Sequence, residues 1–517
     1  MKRYLLGVDA GTTSFKGALF DENRTQLAAA QRDYALLTPQ ADWVEFPAEE
    51  YWKIFCALTR ELLERAEVCV EDVLALALSS QGETLICLDE AGRPLGNAIV
   101  WLDNRAAAQA HALRERFGVR SVYEVSGQAD MLATWPAAKI LWLRENRPEQ
   151  FQKTRKFLLL EDYLLYRLTG RTAGEPNLWA SSAMLNIHTA QWWPEMLEAL
   201  GIAPERLPEI RPCGSVLSTA AHGAREAGLA PGTLAVLGAL DQTCNAIGCG
   251  ITRPGMICET TGSCLAVSAV LDTFIPYDAR MPVTCQNHAV PGRYTVLLWS
   301  QSAGMTLKWF ARNFYSEEES LDCAFERINV EAAKVPAGCE GLTMLPHLTG
   351  AANPEYDSAA RGAFVGATLE HGRAHFARAV MEAVACMLRR NMEQLEALGA
   401  VFDRIYCMGG GAKSPLWLQI KADITGKNML PLRAQESACL GAAILAGVGA
   451  GVFESIDLSP VEKESTDQIY PERKNAAACE ELYGRYIRLY EALKPYFAEN
   501  ARARRGAADG EGNGGEK

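Results

Sequence analysis

The sequence Asp9-Ala10-Gly11-Thr12-Thr13-Ser14-Phe15-Lys16 lies between two apolar runs near the start of the chain. These runs, residues 4–8 and 17–20, read as strands, and the Gly/Thr/Ser cluster between them reads as a tight turn. Such a turn can direct several backbone N–H groups at one anion, and three hydroxyls and the Lys16 ammonium add donors. A carboxylate at the end of the first strand suits a hydrated Mg²⁺ on a phosphate. The segment therefore predicts a metal–nucleotide site, with an ordinary polar hairpin turn as the alternative.

Length, charge and cysteine usage narrow the class of protein. At 517 residues the chain is too long for one hydrophobic core, so two large domains are expected. A net charge of −12 argues against a nucleic-acid partner, and an anionic nucleotide would need local Lys, backbone donors and Mg²⁺. The sequence shows neither a signal peptide nor an apolar run long enough to span a membrane, and its 15 cysteines include no C-x-x-C pair. These features predict a cytoplasmic protein with reduced thiols.

Strands alternate with helical segments along the first half of the chain, which is the pattern of an α/β domain. A second cycle begins with a strand over 234–237 that leads to Asp241, and a strand–turn–strand unit follows around Glu259-Thr260-Thr261-Gly262-Ser263. Because this layout repeats that of the N-terminal hairpin, we interpret the chain as a duplicated domain with a ligand between its halves. The predicted parts are domains over 1–245 and 246–495 and a disordered tail over 496–517, which has too few apolar residues to order itself.

A third small-residue turn, Gly409-Gly410-Gly411-Ala412-Lys413-Ser414, follows a predicted strand over 404–408. It fits neither G-x-x-x-x-G-K-[ST] nor G-x-G-x-x-G, so neither a P-loop nor a Rossmann site is expected. Glycines would let a flat adenine or ribose approach the backbone closely, although a plain tight turn is the alternative for this segment alone. A longer amphipathic pattern before this turn predicts a helix over 373–398.

Asp241 is the candidate for proton transfer. Phosphoryl transfer to an alcohol needs a base near the acceptor hydroxyl, and the rest is positioning and charge neutralisation. Asp241 ends a strand and is followed by Gln242 and small residues that leave room for a substrate. The alternative is that Asp241 only caps a helix.

Six motifs in order over about residues 3–495 resemble the FGGY family of carbohydrate kinases. The motifs are Gly7 to Lys16, Trp101 to Arg105, Pro136 to Leu143, Asp241-Gln242, Gly362 to Gly366, and Gly409 to Asp423 followed by Gly441-Ala442-Ala443. The resemblance implies two α/β domains of the ribonuclease-H-like, actin-like ATPase fold, with a catalytic cleft between them. It also implies that ATP, with Mg²⁺, phosphorylates a hydroxyl of a sugar or polyol.

The resemblance further implies a role for each matched residue. Asp9 would hold Mg²⁺, and Asp241, facing it across the cleft, would take the proton from the acceptor. The residues expected to contact the nucleotide are Thr12, Thr13, Ser14, Lys16, Thr260, Thr261, Gly262, Gly410, Gly411 and Ser414. Those expected to contact the acceptor are Gln81, Glu83, Trp101, Asp241 and Gln242. Glu83 can accept two hydroxyl hydrogen bonds, with a solvated loop carboxylate as the alternative, and Trp101 has a core position as its alternative.

The acceptor pocket departs from the familiar patterns of the family. Xylulokinases usually carry Gly-Gln-Met-His-Gly where this chain has Ser80-Gln81-Gly82-Glu83-Thr84, and glycerol kinases carry Gln-Arg-Glu-Thr. Surrounding segments resemble the xylulokinase branch, which favours a pentulose and leaves glycerol or another polyol as the alternative. Glu259 replaces a usual glycine of the second turn. We expect a small sugar or polyol as the partner, no nucleic acid or membrane, and allow for a homodimer.

Two readings from other classes stay open. One is a non-catalytic nucleotide-dependent switch on an actin-like fold, because fold does not fix function. The other is a degenerate kinase-like regulator, which is motivated by Glu259 and by Gly350-Ala351-Ala352, where the xylulokinase branch often has Gly-Glu-Arg.

Overall fold

A computed structural model describes residues 3–432, 436–458 and 468–511, with side chains through residue 501. Its strands are β1 (Tyr4–Ala10), β2 (Ser14–Asp21), β3 (Gln26–Asp33), β4 (Glu45–Phe46), β5 (Val73–Ser80), β6 (Leu85–Leu88), β7 (Ala98–Ile99), β8 (Lys156–Leu159), β9 (Ala173–Gly174), β10 (Leu185–Asn186), β11 (Gln191–Trp192), β12 (Glu209–Ile210), β13 (Val216–Thr219), β14 (Leu234–Leu240), β15 (Ile257–Thr261), β16 (Leu265–Leu271), β17 (Thr284–Asn287), β18 (Tyr294–Ser300), β19 (Thr343–Leu345), β20 (Ala363–Val365), β21 (Arg404–Met408) and β22 (Asn428–Pro431).

The helices complete the α/β pattern that the sequence predicts. They are α1 (Ala48–Ala66), α2 (Ala107–Phe117), α3 (Val119–Ser126), α4 (Pro136–Asn146), α5 (Pro148–Lys153), α6 (Leu160–Thr169), α7 (Pro176–Ala180), α8 (Pro194–Leu200), α9 (Ala224–Ala227), α10 (Asp241–Gly248), α11 (Gly304–Phe314), α12 (Leu321–Ala332), α13 (Arg373–Ala397), α14 (Pro415–Thr425), α15 (Ser437–Gly449) and α16 (Ala476–Glu511). None of the described helices is long and apolar enough to cross a membrane.

The chain forms two compact units, and each unit is assembled from three segments. The described residues of Met1–Pro254, Val270–Val296 and Ala434–Val461 form the first unit. Those of Gly255–Ala269, Leu297–Arg433 and Glu462–Lys517 form the second. The predicted boundary at 245/246 therefore needs correction, because it falls inside α10 and because two later segments pack with the first unit.

The main sheet of the first unit runs in the order β13-β14-β5-β1-β2-β3. Strands β14, β5 and β1 are parallel neighbours, whereas β2 and β3 continue from β1 as antiparallel hairpins. Strand β5 is almost entirely buried, as expected for a central parallel strand covered on both faces. In register, Asp9 of β1 lies beside Ser79 of β5, and Leu240 of β14 lies beside Ser80. The carboxyl ends of these three strands therefore meet at one edge of the sheet.

Glycines allow α15 to lie directly against this sheet. A Cβ at Gly7 of β1 would lie 1.8 Å from the carbonyl oxygen of Cys439, and a Cβ at Gly441 would lie 1.8 Å from that of Cys244. No side chain fits at such distances, so β1, α15 and α10 are held in backbone contact. Helix α1 packs on the opposite face, where Trp52 and Phe55 join the core beneath β1 and β2.

The second unit contains a sheet in the order β18-β16-β15-β21-β22, in which β15, β21 and β22 are parallel. Strands β15 and β16 form an antiparallel hairpin, which is the second strand–turn–strand unit that the sequence predicts. Helix α13 confirms the helix predicted over 373–398, and its middle is buried.

Helix α16 overturns part of a prediction. It continues through Glu511, so the prediction of a disordered tail from residue 496 is wrong over 496–511. Good helix formers such as Ala, Glu and Arg dominate this stretch, and buried Phe497 anchors it beyond Pro495. Residues 512–517 lie outside the described residues.

Candidate active site

The site begins where β1 and β2 meet. Asp9 lies opposite Lys16 in the hairpin register and accepts a hydrogen bond on Oδ1 from the Ser79 hydroxyl, at 2.7 Å. Burial raises the pKa of Asp9, while the Ser79 hydrogen bond and the Lys16 charge oppose that rise. Lys16 Nζ also lies 3.5 Å from Glu436 Oε2, at the start of α15. A carboxylate and an ammonium therefore flank the first predicted phosphate turn.

Hydrogen bonds from Gln81 and Trp101 also hold the turn between β1 and β2 in place. Gln81 is buried; its amide donates to the carbonyl oxygen of Gly11 at 3.1 Å, and its Oε1 accepts from Thr84 Oγ1 at 3.1 Å. The indole N–H of Trp101 donates to Thr12 Oγ1 at 2.8 Å. Gln81 thus does not fit its predicted contact with the acceptor, because its side-chain amide is used inside the protein. Thr13 is exposed at the tip of the turn, and Ser14 starts β2.

Asp241 is the first residue of α10, immediately after β14. The residue preceding the helix is Leu240, so the reading of Asp241 as an N-cap is wrong. Asp241 Oδ1 accepts from the backbone N–H of Gln242 at 2.6 Å, and no described residue hydrogen-bonds Oδ2. Burial raises the pKa of Asp241 to about 7, and the negative charges of Asp9 and Glu83 contribute to that rise.

Asp9 and Asp241 belong to the same unit of the structure. They were expected to face each other across a cleft, one from each side, and this expectation is wrong. Instead, they end β1 and begin the segment after β14, with β5 between the two strands. Gln242 is exposed next to Asp241.

Glu83 is held in an unusual backbone conformation beside these carboxylates. Its φ of 55° lies in the left-handed region, which a residue other than glycine adopts at an energetic cost. Its carbonyl oxygen accepts from Lys139 Nζ at 2.9 Å, and Ser181 opposes the effect of burial on the pKa of its carboxyl. Burial raises the pKa of Glu83, and it lowers that of Lys139.

Lys139 and Ser181 were not predicted as site residues. Lys139 lies in α4 within the quoted Pro136–Leu143 motif, and every residue of that motif is buried. A lysine in a wholly apolar stretch of helix is the signal that could have identified it, because a buried ammonium needs partners.

The second predicted phosphate turn, between β15 and β16, is tied to a buried ion pair. Lys421 Nζ of α14 lies 2.7 Å from Glu259 Oε1, and both side chains are fully buried. The Thr261 hydroxyl donates to Glu259 Oε2 at 2.6 Å and accepts from Lys421 Nζ at 2.7 Å. The prediction for Thr261 is therefore corrected, since its hydroxyl points into the unit, whereas Thr260 is partly exposed and Gly262 is exposed.

The third turn lies against the second. A Cβ at Gly411 would lie 2.6 Å from the Cβ of Thr261, so only glycine allows this approach. Gly410 is exposed, whereas Gly411 is buried. Ser414 caps α14 by accepting from Trp417 N at 3.1 Å. Thus Gly410 presents its backbone to solvent, and Gly411 and Ser414 shape the turn.

Helix α11 begins against the second turn, which sequence reasoning missed. The backbone N–H of Gly304 donates to the carbonyl oxygen of Gly262 at 2.9 Å, and that of Met305 donates to Ser263 O at 3.1 Å. A Cβ at Gly304 would lie 2.2 Å from Gly262 O, so glycine is required there as well.

Comparison with known proteins identifies the family. Residues 4–248 match the family model of the N-terminal domain of FGGY carbohydrate kinases, and residues 255–450 match that of the C-terminal domain. The chain belongs to the FGGY family of carbohydrate kinases. This FGGY kinase is 30% identical to the xylulose kinase of Bacillus subtilis (strain 168) over 501 residues, which cover 95% of this chain and 97% of the relative.

Other relatives of this FGGY kinase are named after different acceptors. It is 31% identical over 476 residues to the autoinducer-2 kinase of Yersinia enterocolitica, with 88% of each chain covered. The crystal structure of the gluconate kinase from Lactobacillus acidophilus superimposes with a TM-score of 0.87 at 26% identity, covering 96% of this chain and 100% of that one. The two-domain FGGY kinase fold and the assignment as a carbohydrate kinase are thereby confirmed.

Proposed function

We propose that this FGGY kinase transfers the γ-phosphoryl group of ATP to a hydroxyl of a pentulose such as xylulose, with glycerol or another polyol as the alternative acceptor. The observation that carries the proposal is Asp241, a carboxyl with a pKa of about 7 at the edge where β1, β5 and β14 end. The full-length similarity to a xylulose kinase supports the choice of acceptor.

Asp241 has the properties of a general base. A base is most effective when its pKa lies near the working pH, and the pKa of Asp241 satisfies that condition at neutral pH. Its Oδ1 is held by the Gln242 N–H, which leaves Oδ2 to accept the proton of the acceptor hydroxyl. The hydroxyl oxygen then bonds to the γ-phosphorus while the bond from that phosphorus to the β,γ-bridging oxygen breaks, and ADP leaves.

In this proposal Asp9 is the residue that would hold Mg²⁺. Within the described part of the chain, no three His, Cys, Asp or Glu side chains cluster so as to hold a metal ion. One carboxylate suffices for Mg²⁺ when water and phosphate oxygens complete its shell, and the Ser79 hydrogen bond orients that carboxylate. When bound, the ion would neutralise developing charge on the phosphates.

The three turns offer backbone donors and few competing side chains for a nucleotide. We assign phosphate contacts to exposed Thr13 and to Lys16, which would exchange its partner Glu436 for phosphate. In the second unit, the exposed backbones of Gly262 and Gly410 are the corresponding donors. Thr12, whose hydroxyl accepts from Trp101, would contribute through its N–H.

Glu259 gives no reason to prefer a degenerate regulator. Its carboxylate is fully buried and paired with Lys421, so it does not project from the turn towards a phosphate. The exchange of a usual glycine for glutamate is thus accommodated inside the second unit.

Replacement of the base tests the proposal. We expect Asp241→Asn to lower kcat by roughly 10²- to 10⁴-fold, because the amide cannot accept the proton, while ATP affinity measured by calorimetry changes little. Turnover is measured as ADP release with a panel of ketopentoses, glycerol and alditols. Glu90→Gln, at an exposed carboxylate of the same unit, is the control and should retain wild-type kcat. Near-normal turnover of Asp241→Asn, or no stimulation by any acceptor, would refute the proposal.

A further inference from the structure

Strand β14 outruns its outer neighbour before the chain reaches Asp241. Backbone pairing with β13 and the residues before it extends along β14 as far as Leu237, whose N–H donates to the carbonyl oxygen of Ser215 at 3.0 Å. The pairing with β5 on the other side changes register over the same stretch. The residues that follow, through Leu240, are buried, so their backbone N–H groups need partners inside the protein.

Two fully buried side chains supply these partners. Glu161 of α6 accepts the N–H of Gly238 on Oε1 at 2.6 Å, and Asn177 of α7 accepts the N–H of Leu240 on Oδ1 at 3.0 Å. Leu240 directly precedes Asp241 and is the residue from which the chain turns into α10. Side chains of α6 and α7 thus take the place of a neighbouring strand along the last residues of β14.

Asn177 is itself fixed at both ends of its side-chain amide. Its Nδ2 donates to the carbonyl oxygen of Asn287 in β17 at 2.6 Å. Its backbone N–H donates to the carboxylate of Glu175, which caps α7 and also accepts from Leu178 N at 2.6 Å. These residues all belong to the first unit. The position of the acceptor for Leu240 is therefore set by α7 and β17 together.

The opposite side of β14 leaves the strand no room to move inward. A Cβ at Gly238 would lie 1.7 Å from the carbonyl oxygen of Leu78 in β5, so the two backbones are in direct contact. Without the acceptor on Asn177, the buried N–H of Leu240 would lack a partner, and the end of β14 could relieve that cost only by shifting outward. Asp241 would shift with it.

We propose that Asn177 is a positioning residue for phosphoryl transfer, because its hydrogen bond to Leu240 fixes the place of the Asp241 carboxylate. The inference rests on the proposed function, in which Asp241 is the base, and it adds a residue that acts through the backbone of β14. A displacement of about 1 Å at a reacting group can cost roughly 10²-fold in rate, so one buried hydrogen bond at this point has a large effect.

The variant Asn177→Leu tests the proposal, because it keeps the approximate size of the side chain and removes both of its hydrogen bonds. We expect kcat at saturating ATP and acceptor to fall by about tenfold or more, with both KM values within about threefold of wild type. The affinity for ATP, measured by calorimetry, should be unchanged, because the first phosphate turn lies between β1 and β2. If Asn177→Leu does not fold, Asn177→Ala removes the same hydrogen bonds and is judged by the same criteria.

Thr233→Val is the matched control for a loss of stability alone. Thr233 is buried just before the other end of β14, and its hydroxyl donates to the carbonyl oxygen of Val73 at 3.1 Å. Its replacement also removes a buried hydrogen bond, so it should lower the urea midpoint while kcat stays at the wild-type value. An equal loss of kcat in Thr233→Val and Asn177→Leu would overturn the inference.

A double-mutant cycle decides whether Asn177 acts through Asp241. In the Asp241→Asn background, Asn177→Leu should lower the residual kcat by no more than about twofold, because the base is already lost. The same factor in both backgrounds, or a wild-type kcat in Asn177→Leu, would overturn the inference while the proposed function stands. The absence of acceptor-dependent turnover in the wild-type enzyme would instead refute the proposed function, and the inference with it.

Discussion

Asp241 illustrates how position alone can raise the pKa of a carboxyl to about 7. It receives one backbone N–H, from Gln242, and lies where two other carboxylates add to the effect of burial. The carboxyl is therefore held near the midpoint of its titration at pH 7.

The pH dependence of the reaction should report this environment. We expect kcat/KM to rise with pH through about 7, as Asp241 loses its proton and becomes able to accept that of the substrate. In Glu83→Gln a nearby negative charge is absent, so the pKa of Asp241 falls and the acidic limb moves to lower pH. Steady-state rates between about pH 5.5 and 9 check this; a limb at the same pH in both enzymes would contradict it.

Single residues also show where sequence reasoning reaches its limit. The turn over residues 9–16 was predictable because residue type and the flanking apolar runs specify a hairpin with donors. The inward direction of Gln81 and Thr261 was not, because a polar residue in a turn can face either way until its neighbours pack. Lys139 and Lys421 were missed because a lysine is assumed to be exposed.

At the scale of elements, the buried pair Lys421–Glu259 joins α14 to β15. Burial makes the pair sensitive to the loss of one partner, because a lone charge would remain without water. The pair also binds the Thr261 hydroxyl, against which Gly411 packs. Two turns of the second unit thus depend on one ion pair.

Removal of the lysine should destabilise the second unit strongly. We expect Lys421→Met to lower the free energy of unfolding by about 3–5 kcal/mol, because Glu259 is left as an uncompensated buried charge. The double variant Glu259→Gln/Lys421→Met should recover most of this loss. Urea unfolding followed by tryptophan fluorescence measures both.

The control for this prediction is a more exposed pair in the same unit. Lys427 Nζ lies 2.5 Å from Glu396 Oε1, with side chains that are 22% and 41% exposed. Lys427→Met should cost no more than about 1 kcal/mol. Equal effects of the two lysine variants would show that burial does not determine the contribution of Lys421.

The close contact between α10 and α15 should be sensitive to any added side-chain volume. Gly441→Ala would place a methyl group 1.8 Å from Cys244 O, so the helices must separate. We expect a loss of about 1–3 kcal/mol in the free energy of unfolding and a lower kcat, because α10 carries Asp241. Gly232→Ala, where a Cβ meets nothing within 4 Å, is the control. Wild-type stability and kcat in Gly441→Ala would contradict the close contact.

Strong periodic elements, such as β1, β5 and α13, were predictable from local pattern. Their assignment to the two units was not. Nothing in the apolar run of α15 specifies that it packs on β1, because that contact links residues more than 400 positions apart and depends on matching glycines. Local periodicity encodes the element but not its distant partner.

At the scale of the whole molecule, the first unit depends on a segment that follows most of the second unit in the sequence. A fragment of residues 1–254 lacks α15, which leaves the apolar face formed by Leu5, Phe20 and Val236 uncovered. We expect this fragment to unfold without a cooperative transition. The same fragment joined through a Gly/Ser linker to residues 434–461 should regain one. Thermal unfolding followed by circular dichroism compares them; cooperative unfolding of the short fragment would contradict the prediction.

The late position of α15 also has a consequence for biosynthesis. While the ribosome is still translating residues up to 436, the sheet that contains β1, β2 and β5 has one face that α15 does not yet cover. That apolar face is therefore exposed to aggregation with other polypeptides until nearly nine-tenths of the chain has been synthesised. Chaperones that hold exposed apolar strands during elongation should therefore govern the yield of this enzyme more than the stability of its finished form.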